Sequence, residues 1–306
     1  MAFMTTQIIN KNIPERHHYV PRCYLERFAD TKTGMLSVYD LEKEEWRRQK
    51  PDQVMFIRHH NRQEWAPKGI DPNLLERVLC DIENRGKSAI DRLIEHPDRI
   101  TEDDTAALVV YLATQRIRVP RQANIAKETV FRPILNELIN SNMNIAKAVS
   151  KGEIAVNLKD KECRFEYMRF IGDAHFPFFC RMQWEVYTAV NGASFVTTDN
   201  PVTFFNPAFE PPAEPGIALA GTMVLFPLSP NHILVLKHPE IEQNPAIDPL
   251  TRIVAEPLPE HGHIFIKTGK EIEPRIVWLT NNMLIHATEN TVVALSKAAI
   301  ENSLFH

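Results

Sequence analysis

Three short stretches hold the side chains best suited to chemistry. The first is His17-His18-Tyr19-Val20-Pro21-Arg22. Adjacent histidines on an extended chain point to opposite faces, so one of the two serves a given site. An imidazole works near neutral pH as a base or as a metal ligand. The second stretch is Thr197-Thr198-Asp199-Asn200-Pro201, just after an apolar, strand-like run. Side chains converge on clefts where such strands end. Asp199 offers a carboxylate to a metal or to His18, and Asn200 precedes a proline that holds its backbone extended. The third is Gln115, Arg118 and Arg121. Gln115 and Arg118 share a face of a helical run, and a guanidinium there suits bidentate binding of phosphate or carboxylate.

Each stretch has a structural reading beside the chemical one. His18 can cap a helix or bond a backbone carbonyl. Thr, Asp, Asn and Pro are turn formers, each for its own backbone reason. Arg118 stands where the helix dipole favours a cation. Glu76 and Glu83 read as a solvated stripe on one helix or as carboxylates for a cation. His59-His60 lacks the i, i+4 spacing of a helical ligand pair, and His261 and His263 read as surface residues.

Combined, these groups are the parts of metal-assisted phosphodiester cleavage. His18 is then base or ligand, Asp199 the main metal carboxylate and Asn200 a neutral ligand or orienting group. Arg22, Gln115 and Arg118 hold the substrate. The expected activity is hydrolysis of a phosphate ester, in nucleic acid or a nucleotide, with a divalent cation such as Mg or Mn held by Asp199 and His18. The alternative is a non-catalytic ligand- or partner-binding module, in which His18, Arg22 and Asp199 form a structural network stable only when fully paired.

The elements that position these residues follow from hydrophobic period. Pro21 opens a short helix to Phe28, since its missing N–H costs nothing in a first turn. Met35–Leu41 with Trp46 predicts a hairpin. Helices are predicted at about 72–95, 102–118 and 121–149. The second starts at Thr101 with acidic residues behind it and stops before Pro120. From about residue 183 the period changes. Residues 184–198 read as a hairpin closed by Asn191-Gly192, which supplies the positive φ angles of a type I′ turn. Strands follow at 222–227, 233–237 and 264–266, with proline-dense loops between 201 and 259. Residues 281–303 return to a helical period. The expected class is α+β, a helical N-terminal half packed on a mainly antiparallel sheet from the C-terminal half. The division falls at 1–165 and 166–306.

Bulk composition narrows the class of partner. The 306 residues carry 35 basic and 39 acidic side chains, a formal charge of -4. That balance gives no general attraction to nucleic acid or an anionic membrane, although a local basic patch stays open. Cys23, Cys80, Cys163 and Cys180 form no CxxC pair, which predicts four reduced thiols rather than a disulfide framework or zinc site. Residues 1–14 are polar and lack a signal-like apolar run. No stretch approaches the roughly 20 apolar residues of a membrane helix. A cytoplasmic protein without a membrane partner is expected. No P-loop, GxGxxG, GxSxG or HExxH pattern is present.

His18-Tyr19-Val20-Pro21 with Tyr24, Leu25 and Phe28 resembles the opening of the uncharacterised DUF4238 family. Thr197-Thr198-Asp199-Asn200-Pro201 resembles its Thr-Ser-Asp-Asn-Pro segment. Gln115, Arg118 and Pro120 are similar to its Gln-x-x-Arg-x-Pro element, and Phe226-Pro227-Leu228-Ser229-Pro230 to its strand end. The resemblance implies a set of positions and no activity.

Overall fold

A computed structural model describes residues 15–210, 213–239, 253 and 263–304. The polar N-terminal dozen, His261 and much of the proline-dense 201–259 region lie outside the described residues. The chain begins with strand β1 (Arg16–His18) and a short helix α1 (Arg22–Leu25) that tightens into a 3₁₀ turn at Glu26–Phe28. Strands β2 (Leu36–Asp40) and β3 (Glu45–Gln49) form the expected hairpin, and β4 (Phe56–Arg58) returns to pair antiparallel with β1.

Helices α2 (Leu74–Glu95) and α3 (Glu102–Arg118) follow the predicted bounds closely. Leu79, Ala89, Ile90 and Leu93 are buried along one face of α2. Gly86 lets α3 approach, because a Cβ there would meet Tyr111 Cδ2 at 2.2 Å. A reciprocal capping box starts α3: the Thr101 hydroxyl accepts the Asp104 N–H, and the Asp104 carboxylate accepts the Thr101 N–H. It ends at extended Val119, as the residue before a proline prefers.

The long helix expected over 121–149 is broken. It becomes α4 (Pro120–Ala126), a π-helical turn at Lys127–Phe131, α5 (Arg132–Asn140) and α6 (Met143–Ser150). Asn142 is the physical reason for the second break, since its side chain caps a new N-terminus by accepting from Asn144 and Ile145. Helices α7 (Asp160–Ile171) and α8 (Phe176–Arg181) complete the helical part.

The strands β5 (Gln183–Ala189), β6 (Thr197–Thr198), β7 (Thr203–Phe205), β8 (Met223–Ser229), β9 (His232–Lys237) and β10 (Ile266–Ile272) follow. After them come α9 (Pro274–His286), β11 (Thr291–Ala294) and α10 (Lys297–Leu304). One sheet has the order β10-β5-β9-β8-β7, antiparallel except for the β10–β5 pair. A second has the order β3-β2-β11-β6 and is antiparallel throughout.

Two expectations are corrected. Asn191 and Gly192 do take positive φ, 54° and 75°, but they do not close a hairpin. β5 pairs with β9 and β10, while β6 crosses to the other sheet and pairs with β11. The helical period read over 281–303 is interrupted by β11, whose Val292, Val293 and Ala294 are fully buried in the second sheet. Sheet pairing with distant β2 overrides local pattern there.

The class is α+β. The hairpin of the helical part is carried into a sheet with β6 and β11, and the main core joins Tyr24, Phe28 and Leu112 to Trp184, Phe226 and Val293. Among the described residues no helix is long and apolar enough to cross a membrane. All four cysteines are free thiols.

Candidate functional site

The segments singled out in the sequence meet in the interior, largely through main-chain hydrogen bonds. Gln115 Nε2 donates to the Tyr19 carbonyl at 2.9 Å, and Arg118 Nη2 donates to the His18 carbonyl. One turn of α3 therefore holds the strand that carries both histidines. Tyr24 is buried and stacks on Phe226 with centroids 5.3 Å apart. Its hydroxyl bonds Thr197 Oγ1 at 2.8 Å and donates to the Pro227 carbonyl at 2.7 Å.

Asp199 and Asn200 complete this framework. Asp199 is 5% exposed. Its Oδ1 accepts the Glu289 N–H at 2.9 Å, and its Oδ2 accepts those of Asn290 and Thr291 at 2.8 and 2.7 Å. Burial pushes its pKa up to about 6, against the pull of these three donors. Asn200 donates to the Ala287 carbonyl and receives Arg116 Nη1 on its Oδ1. Arg116 is buried over the Phe204 ring, pairs with Glu214 at 2.7 Å and donates to the Val202 carbonyl. The Thr-Thr-Asp-Asn-Pro turn is thus a knot tying α3 to the loop between α9 and β11.

His18, Arg22 and Asp199 do not form one contact network. No hydrogen bond or ion pair joins Asp199 to His18 or Arg22 among the described residues. His18 instead lines a cleft of about 400 Å³ with Arg16, Arg22, Asp52, Glu76 and Glu83. Its imidazole lies against Phe56, with centroids 5.7 Å apart, and its buried Nε2 has no hydrogen-bond partner among the described residues. Burial first, then the Arg118 and Arg22 charges, lower its pKa to about 4. The ring is therefore neutral at physiological pH. Arg22 projects outward and is held only loosely by Glu26 at 3.3 Å, with both side chains exposed. Arg16 donates to the Asp52 carbonyl at 3.3 Å and lies over Phe56.

The carboxylates behind the cleft are not a solvated stripe. Glu83 pairs with buried Arg118 at 2.7 Å, which anchors that guanidinium between α2 and β1. Glu76 accepts from Asn61 Nδ2 at 2.6 Å and lies 3.5 Å from His17 Nδ1. His17 is fully buried, and its Nδ1 accepts the Asn61 N–H. The two histidines divide as extended geometry requires, His17 inward and His18 into the cleft. Cys23 and Cys80 also line it. Burial raises both thiols, Cys23 to about 11, so they stay protonated.

Sequence reasoning missed Arg16, Asp52, Arg116 and Tyr24 as site or framework residues. Tyr24 stood inside the first motif, and its hydroxyl on an otherwise apolar helix face was the available signal. Arg116 gave none, because its partner Glu214 lies far along the chain. Among the described residues no group of three or more His, Cys, Asp or Glu side chains is arranged to hold a metal ion.

The fold and site define an α+β protein with a charged cleft between its N-terminal strand and first long helix. The chain belongs to the family described as protein of unknown function DUF4238, whose model matches residues 16–298. Neither the curated proteins nor the solved structures include a match.

Proposed function

We propose that this chain binds a phosphate ester, of a nucleotide or a nucleic acid, in the cleft between β1 and α2 and hydrolyses it. The carrying observation is a neutral imidazole, His18, that lines the cleft with the Arg16 and Arg22 guanidinium groups and whose Nε2 has no hydrogen-bond partner among the described residues. Arg16 and Arg22 hold the non-bridging oxygens. His18 takes a proton from the attacking water as the new P–O bond forms. The imidazolium then returns the proton to the leaving oxygen as its bond to phosphorus breaks. Arg118 holds the His18 carbonyl and Gln115 that of Tyr19, and neither touches substrate. A Mg or Mn ion in this cleft would have Asp52 and the Glu76 oxygen that Asn61 leaves open, with no third side-chain ligand grouped with them among the described residues. Asp199 has both oxygens engaged by main-chain donors, which disfavours it as a metal ligand.

A second reading, a non-catalytic binding module, has its own support. Gln115, Arg118, Asp199 and Asn200 direct polar atoms at the backbone, as a purely structural network does. The test is hydrolysis of a bis-nitrophenyl phosphodiester and of single- and double-stranded oligonucleotides, with chelator, Mg or Mn. The wild-type chain should turn over, and His18→Gln should lose about 100-fold or more while its melting temperature is kept. Equal rates for both chains would sink the proposed role. Binding without turnover under any condition would favour the module.

A further inference from the structure

We propose that a second, basic pocket, built on Arg164, binds a phosphate group. It is a hollow of about 310 Å³ that shares no lining residue with the His18 cleft. Its walls carry four fixed cations, Arg58, Lys127, Lys161 and Arg164, together with His59 and His60. A single carboxylate, Asp160, stands among them and pairs with Lys127. Lys161 reaches Glu64 at 3.4 Å, and Arg58 has no ion pair among the described residues.

Arg164 is the observation that asks for a ligand. It is 2% exposed, yet no carboxylate forms an ion pair with it among the described residues. Nη2 donates to the His60 carbonyl at 2.6 Å, Nη1 approaches the Met168 sulfur at 3.3 Å, and the buried Nε has no partner among the described residues. The Phe165 ring lies 4.6 Å from its Cζ and the Glu76 charge favours it from a distance, but neither replaces a hydrogen-bonded anion, and a buried guanidinium without one is costly. Burial and the nearby Arg118 charge hold Arg164 down to about 10, the direction an added anion would reverse. The cations come from the β4 end, the π-helical turn and α7, so donors approach from several directions. That array suits a tetrahedral dianion better than a planar carboxylate.

The proposal does not rest on catalysis at His18. It is tested by titrating inorganic phosphate, at constant ionic strength with chloride as control, into the full-length Arg22→Ala chain, in which the first cleft is weakened. A saturable rise in melting temperature is expected. Arg164→Met should abolish the rise while keeping a cooperative melt in phosphate-free buffer, where removal of a poorly paired buried charge offsets loss of the bond to the His60 carbonyl. Should Arg164→Met fail to fold, Lys161→Ala and Arg58→Ala, both at the rim, should each weaken apparent binding by about threefold or more, as loss of one charge-assisted contact requires. A nucleoside monophosphate binding more tightly than inorganic phosphate would support the site and assign a nucleotide source, and equal affinities would support it as a free-phosphate site. Absence of any saturable response, or an undiminished response in Arg164→Met or in both rim variants, would overturn it.

Discussion

Replacing Asp199 by asparagine separates a structural carboxylate from a catalytic one. The side chain accepts three main-chain N–H groups, one on Oδ1 and two on Oδ2. An amide oriented with its oxygen at the Oδ2 position keeps two of them. Each kept bond falls from the charged class, about 1.5–3 kcal/mol, toward the neutral class near 1 kcal/mol. The amide nitrogen then faces the Glu289 N–H, and that orphaned donor costs about 1–3 kcal/mol. Relief from burying a charge, which already pushes Asp199 up to about 6, offsets part of the loss. The net is a destabilisation of about 2–4 kcal/mol, or roughly 5–10 °C in melting temperature for a chain of this size. Circular-dichroism melts and urea titrations of both chains measure it, and amide exchange should show early opening at residues 289–291. An unchanged melting temperature together with lost hydrolysis would refute the reasoning and return Asp199 to the active site.

Three other outcomes follow from the same contacts. Tyr24→Phe removes the hydroxyl shared by Thr197 and the Pro227 carbonyl and should cost about 1–3 kcal/mol in urea unfolding; no loss would mean that those groups find other partners. Gly86→Ala should destabilise by about 1–2 kcal/mol, since crowding of Tyr111 outweighs a helix-propensity gain of about 1 kcal/mol. The pH dependence has a definite sign. His18, His60 and His175 are depressed from 6.5 to about 4, 3 and 3, in each case chiefly by burial. Each takes up its proton only on unfolding, so its stability contribution is full above about 6.5 and is lost as pH falls toward the native value. Asp199 acts oppositely: raised from 3.8 to about 6, its contribution is full below 3.8 and is lost as pH rises through 6. With three histidines against one carboxylate, melting temperature should fall between pH 7 and pH 5, and a rise over that range would contradict the histidine burial.

The sequence was legible where one element decides its own form. α2 and α3 were readable from apolar period, the Thr101 cap and Pro120, because those signals lie within the helix. The turn at Asn191-Gly192 was readable as backbone geometry. Its consequence was not, because Thr197 and Thr198 pair with β11 and the Val196 N–H donates to Asn281 of α9, a choice made by distant partners. β11 was hidden for the same reason. In the site, Gln115, Arg118 and Asn200 do reach across the fold. They reach backbone carbonyls, however, and no side-chain pattern reveals which carbonyl lies opposite. Glu76 and Glu83 looked solvated because nothing in a helix period announces the Asn61 and Arg118 that cover them.

Whether ligand chemistry belongs to the His18 cleft or to the Asp199 knot can be read in one titration. The chain is labelled with ¹⁵N-histidine and on the amides of residues 287–291, and a non-hydrolysable phosphodiester analogue is added at pH 7. Binding in the cleft should shift the His18 imidazole saturably and draw its titration upward from about 4, as an anion beside the ring stabilises its charged form. The amides that Asp199 holds should stay in place. A ligand that moves the 289–291 amides and leaves His18 untouched would put the chemistry at Asp199 and contradict the assignment of the cleft.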